Sequence, residues 1–121
     1  TQDLSAVTGA CLFSRRSIYE EVGYMDEENF AVAFNDVDFC LKIRQAGYLI
    51  VYNPYVEFMH YESKTRGYED TPEKKARFEK ESNNFRTKWR KVLDAGDPYS
   101  NINFDKNTAQ YNVRTDKIKV K

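Results

Sequence analysis

Cysteine is scarce in this chain: Cys11 and Cys40 are the two in 121 residues. That is too few for a disulfide scaffold or a zinc knuckle and fits buried thiols in a reducing compartment. A charge excess of one sign is missing as well, since 19 Lys+Arg balance 19 Asp+Glu. Nucleic-acid-binding modules normally show a clear basic excess, so no nucleic-acid partner is expected. No apolar run approaches the roughly 18 residues that a membrane-spanning helix requires. No charged-then-apolar leader is visible, so no secretion signal is expected. Glycine fingerprints for phosphate and nucleophilic serine or cysteine motifs are absent, as are internal repeats. The length allows one domain at most.

What is present is unevenly spread. Residues 1–60 contain 32 of the 49 hydrophobic residues, with 4 basic and 9 acidic side chains. Residues 61–121 contain 17 hydrophobic residues, with 15 basic and 10 acidic side chains. The first half can therefore build a core, and the second reads as an exposed helix followed by an extended tail. Nine Tyr, eight Phe and one Trp are many aromatics for so polar a chain. Tyrosine is an amphipathic contact residue, so a binding surface and the margin of a small core are both open readings.

Local patterns give an element order. Ala6 to Phe13 is a short apolar run of small residues that predicts a buried strand, with Gly9 marking close backbone approach. Ser17 and Glu20 have capping-box spacing, and Gly23 suits a left-handed helix end. An irregular acidic and aromatic stretch covers residues 24–34. Asn35 is a natural helix N-cap, Val37, Cys40, Leu41 and Ile43 form an apolar face, and Gly47 is a natural stop. Tyr48 to Tyr52 predicts a strand, interrupted by Pro54 and resumed over Tyr55 to Met59. Thr71-Pro72-Glu73 starts the longest helix, with Phe78, Phe85, Trp89 and Val92 on one face and Gly96-Asp97-Pro98 as its end. The charged run from Glu73 to Lys91 reads as a solvated face. The order is an α/β pattern with too few strands for a whole doubly wound sheet.

A few residues can carry chemistry. Asp36 and Asp38 stand in a first helical turn, where carboxylates favour the helix dipole and Asn35 with Asp38 approximates a capping box. The same placement can present a general base or a metal ligand to a cleft. His60 is the sole histidine and ends an extended piece, where it is either structural or one ligand of a divalent metal. The following loop, with Ser63 and Arg66, can close on a phosphate or be plain charged surface. Thr8 and Gly9 either approach a ligand or pack as a small-residue strand.

The stretch VTGACLFSRRSIYEEVGYMDEENFAVAFNDVDFCLKIRQAGYLIVYNPYVEFMHYES resembles the C-terminal half of family-two glycosyltransferase catalytic domains, above all the rhamnosyltransferase-like polysaccharide enzymes of bacteria. The shared pattern is a TGA segment, a glycine-aromatic-D-E-type loop (here GYMDE), an N-D-x-D helix start, an aromatic-proline strand and a terminal histidine. The tail GDPYSNINFDKNTAQYNVR is similar to the end of such proteins, less specifically. The resemblance implies the C-terminal portion of a GT-A fold, with residues 1–70 as its acceptor-side half, 71–95 as a C-terminal helix and 96–121 as an extended or partly disordered tail.

The resemblance also implies an inverting transfer of sugar from a nucleoside-diphosphate donor to a glycan acceptor. Asp36 would be the base and His60 a ligand of Mn²⁺ or Mg²⁺. Asp38 and Asn35 would support the acceptor site, and Thr8, Gly9 and Ala10 would line the cleft. Ser63 and Arg66 would lie over the diphosphate. The implied location is cytoplasmic or peripheral at the inner membrane face. Asn35 departs from the acid common in the family, leaving Asp36 as the single carboxylate of the pair. The Q-x-x-R-W motif of processive synthases is replaced by NNFRTKW over 83–89, which favours a non-processive transferase. The family's nucleotide-binding half and its D-x-D motif should precede this stretch, so the expectation is a fragment that is inactive alone. The alternatives are a non-catalytic glycan-binding module, with Tyr24, Phe30, Tyr52 or Tyr55 stacking on sugar rings, and an oligomerisation module that forms a homodimer through Phe78, Phe85 and Trp89.

Overall fold

The computed structural model describes residues 1–61, 71–101, 103–105 and 112–114. The chain opens with a short strand, β1 (Gln2–Leu4), whose partner is β2 (Ile50–Tyr52). They pair antiparallel, with Gln2 opposite Tyr52, Asp3 opposite Val51 and Leu4 opposite Ile50. Between them lie a 3-10 turn (Gly9–Cys11), helix α1 (Arg16–Glu21) and helix α2 (Asn35–Gln45). Helices α3 (Pro72–Lys88) and α4 (Arg90–Ala95) follow β2. The described residues thus form a small mixed helix-and-strand domain with a two-stranded sheet, consistent with the α/β class. None of its helices is long and apolar enough to cross a membrane.

Several local expectations hold for the expected reasons. Thr71 caps α3, its Oγ1 accepting the Lys74 N–H, and Pro72 takes the first helical position. Gly47 follows α2 with φ of 91°, a conformation that removes the Cβ penalty of a left-handed helix end.

Other expectations are corrected. The segment Ala6 to Phe13 is not a buried strand. Its centre is the 3-10 turn, and Thr8, Gly9, Ala10 and Cys11 are exposed. One cause is local and one distant: the Ala10 N–H donates to Thr8 Oγ1 and the Gly9 N–H donates to Asp36, so these amides go to side chains and not to a ladder. Residues 55–59 carry no strand either and are exposed. Ser17 is not a cap: α1 begins one residue earlier, after Arg15, and carries an Arg16–Glu20 pair at 2.8 Å. The N-cap of α2 is Phe34, with Asn35 as the first helical residue. The long C-terminal helix is broken at Trp89, where φ and ψ are −105° and 17°.

Helix α2 is the centre of the domain. On one side Leu41 packs with Phe30, Phe85 and Trp89, flanked by Phe34 and Val37. On the other, Phe39, Cys40 and Ile43 pack with Ile50, flanked by the 3-10 turn region and α1. The helix is therefore apolar on more than one face, as a helix enclosed by the rest of a domain must be. Truncating a buried aromatic such as Phe85 to Ala in such a core typically costs about 3–5 kcal/mol. A polar cluster ties remote parts of the chain together. Ser5 Oγ donates to Asp97 Oδ1 at 2.6 Å and accepts from Arg44 Nη1 at 2.9 Å, while the Arg44 guanidinium lies 5.2 Å from the centre of the Tyr99 ring.

The two cysteines differ in kind. Cys11 is exposed, whereas Cys40 is fully buried and burial pushes its thiol up from the ordinary value. Native protein should therefore react with one equivalent of a thiol reagent, at Cys11, and with a second only on unfolding. Mass-spectrometric mapping after a timed alkylation checks this, and rapid labelling of Cys40 in native buffer would contradict the packing.

Candidate active site

A cleft of about 1050 Å³ opens beside the sheet. One wall is the Thr8–Ala10 turn with Cys11 to Arg15; the other is β2 and the segment that runs on through Val56 and Phe58 to His60. Its walls are mostly apolar, and Phe13, Leu49, Phe58 and Met59 are largely exposed within it. Four of the residues singled out in the sequence, Thr8, Gly9, Ala10 and His60, meet on this cleft.

Asp36 lies directly behind the turn. Its Oδ2 accepts the Gly9 N–H at 2.8 Å, and its Oδ1 accepts the Val37 N–H at 2.8 Å. A Cβ built on Gly9 would stand 3.2 Å from the Asp36 Cβ, so glycine is what allows the turn to approach the carboxylate. Gly9 also borders a second hollow of about 330 Å³, lined by Tyr19, Met25 and Phe39. Asn35 supports Asp36 from the preceding position, its Oδ1 accepting the Asp36 N–H at 2.8 Å. At the start of α2 the helix dipole adds to this stabilisation of negative charge.

Asp38 is somewhere else. It is fully buried in the seam between α2 and α3. Its Oδ1 accepts from Trp89 Nε1 at 2.7 Å and from Lys88 Nζ at 2.8 Å. Lys42 Nζ stands 3.9 Å from its other oxygen and donates to the Tyr24 carbonyl. Lys88 reaches on to Asp26 Oδ2 at 3.2 Å, and Asp26 Oδ1 accepts the backbone and side-chain N–H groups of Asn29. Burial pulls the Lys88 ammonium down, but its hydrogen bonds to Asp38 and Asp26 outweigh that and hold it above the ordinary lysine value. Burial pulls Lys42 down and prevails over the attraction of Asp38. For Asp26, burial pushes up, yet Asn29 and Lys88 together hold the carboxyl below its usual value.

Ser63 and Arg66 lie outside the described residues. Among the described residues no three His, Cys, Asp or Glu side chains converge as a metal site. Hard cations take several oxygen ligands, and His60 offers one nitrogen. Sequence reasoning missed Glu81, Asn84 and Lys88 by reading Glu73 to Lys91 as a solvated face. The signal was available, because Glu81 falls in the same helical stripe as Phe78, Phe85 and Trp89. Phe85 and Trp89 are themselves core residues at 7% and 5% exposure, which removes them as a dimer contact.

No family model matches the chain, and no solved structure does. It is 49% identical over 102 residues to the uncharacterized protein y4gI of Sinorhizobium fredii, covering 84% of this chain and 11% of that protein. Over 61 residues it is 38% identical to an N-acetylglucosaminyl-diphospho-decaprenol L-rhamnosyltransferase of Mycobacterium tuberculosis, covering 50% of this chain and 20% of the enzyme. Over 73 residues it is 33% identical to the O-antigen biosynthesis protein RfbC of Myxococcus xanthus, covering 60% of this chain and 6% of that protein. The chain thus spans a fifth or less of the length of these relatives.

Two outcomes follow from this geometry. A group whose pKa is depressed on folding stabilises at neutral pH and stops doing so as pH falls through its folded value. The difference in urea stability between wild type and Asp26→Asn should therefore be full at pH 7 and close below about pH 4. A constant difference down to pH 2 would mean that Asp26 is not held as described. Separately, Gly9→Ala forces the turn against Asp36 and should destabilise by about 1 kcal/mol in the same assay. An unchanged midpoint would place the turn farther from Asp36.

Proposed function

We propose that the chain is the acceptor-side part of an inverting GT-A glycosyltransferase of family two, and that Asp36 is its general base. The observation that carries this reading is the seating of the Asp36 carboxylate on the Gly9 amide, immediately behind a wall of the cleft that His60 also lines. Similarity to a rhamnosyltransferase over half the chain points the same way.

The chemistry asks little of the protein beyond placement. Asp36 removes the proton from an acceptor hydroxyl as that oxygen attacks the anomeric carbon of the donor. The bond from that carbon to the nucleoside diphosphate breaks on the opposite side, and the single displacement inverts the centre. Holding two sugars together supplies much of the rate gain. The aromatic and aliphatic side chains of the cleft, Tyr52 and Phe58 among them, offer faces on which sugar rings stack. His60 would contact the donor diphosphate, directly or through Mn²⁺ or Mg²⁺. Such an ion supplies charge neutralisation at a leaving group when bound.

A non-catalytic glycan-binding module has a specific point in its favour: Tyr52 and Tyr55 are exposed at 50% and 87%. Phe30 cannot serve it, being 1% exposed.

Transfer assayed in the full-length protein against a panel of nucleotide sugars separates the two. Asp36→Asn should lower kcat by about 10²-fold or more with donor binding intact. His60→Ala should raise the donor KM more than it lowers kcat. Wild-type turnover in both variants, with saturable glycan binding retained, would move the binding module to first place.

A further inference from the structure

The segment that carries Asp36 is gripped on both sides by α3. Ahead of it, Glu81 Oε2 accepts the Ala33 N–H at 2.6 Å, across 48 residues of sequence, and Glu81 is 4% exposed. Phe34 comes next, with φ of 64°, a left-handed conformation that a bulky residue adopts only when its surroundings impose it. Its ring stacks on Phe85 at 5.2 Å and leans on Phe78 at 5.4 Å. Behind Asp36, the buried Asp38 is locked by Lys88 and Trp89. Asn84 adds a contact to the Asn29 carbonyl at 3.4 Å. Every one of these partners lies on α3 or at its end, and Asp36 sits between the two grips.

An apolar seam would join α3 to α2 at least as well as this one. Buried carboxylates cost desolvation, and in some proteins what they add is a fixed geometry. Glu81 gives Oε2 to the backbone N–H of Ala33, three residues before Asp36. Ala33, Phe34 and Asp38 together determine where the first turn of α2 starts and how it is rotated. That rotation decides whether the Asp36 carboxylate faces Gly9.

We propose that Glu81, assisted by Lys88 and Trp89, is a positioning residue that aims Asp36 at the cleft-wall turn. The role in transfer rests on Asp36 being the base; the aiming itself does not. α3 then acts as a brace for the reacting group and touches neither sugar.

The test uses the full-length protein and two readouts. One is kcat against donor KM; the other is hydrogen exchange at the Gly9 amide, which reports the Asp36–Gly9 bond without any turnover. Glu81→Met should lower kcat about tenfold with the donor KM within about twofold, and should speed Gly9 exchange about tenfold. Glu81→Gln keeps a carbonyl oxygen for the Ala33 N–H and should recover both to within about threefold of wild type. Asp38→Asn, a milder change that keeps an acceptor for Trp89, should move both readouts in the same direction as Glu81→Met and serves if that variant does not fold. Unchanged kcat and unchanged Gly9 exchange in either folded variant would overturn the brace. So would a change confined to KM. Asp36→Asn run alongside separates the two ideas: full activity in it removes the base assignment, while the Gly9 exchange data still decide whether Glu81 aims the carboxylate.

Discussion

A carboxylate with no exposure to solvent lies at the junction of the two longest helices. Asp38 can be there because Trp89 Nε1 and Lys88 Nζ both donate to it, and Lys42 stands close by. Breaking such an arrangement by removing one partner commonly costs about 3–5 kcal/mol, because the remaining charge stays buried. The rest of the structure is arranged around that requirement. The break between α3 and α4 falls at Trp89, the residue whose indole meets Asp38. Lys88 extends the same contact to Asp26, which organises the irregular stretch before α2.

From that junction the order of the domain passes outward in two directions. Toward α3, aromatic packing of Phe30, Phe34 and Phe85 fills the seam. Toward the sheet, Phe39, Cys40 and Ile43 carry Ile50, and with it β2 and the far wall of the cleft. Asp36 belongs to neither core. It occupies the helix start between them, half-exposed, where a fixed backbone on one side meets a glycine turn on the other. A general base, the role proposed for Asp36, gains from a carrier fixed in this way.

Much of this was legible in the sequence where the signal was local. Thr71, Pro72 and Gly47 mark helix ends by chemistry that acts within a few residues, and they read correctly. The helix bearing Asp36 was legible from its apolar spacing, although Phe39 proved as buried as its neighbours. What the sequence concealed was set by distant partners. Nothing near Gly9 announces that its amide will be taken by a carboxylate 27 residues away and that a strand will be lost for it. Nothing near Glu81 announces a backbone amide 48 residues away. Asp36 and Asp38, two residues apart and alike on paper, separate into a half-exposed group and a buried one only when α3 covers one of them. His60 reads as a terminal histidine in sequence and does line the cleft. Its chemical role was not readable from position alone.

The hydrogen bond from Ser5 to Asp97 joins residues 92 positions apart, and β1 meets β2 across 46 to 50 positions. Contacts of that span form late, because chain entropy must be lost before they give anything back, whereas helices form from neighbours. The far wall of the cleft depends on such contacts, and so does the seat of Asp36, whose Gly9 bond spans 27 residues and whose flanking Ala33–Glu81 and Asp38–Trp89 bonds span 48 and 51. During folding the Asp36 carboxylate and the cleft wall in front of it are therefore set together, after the helices that carry them.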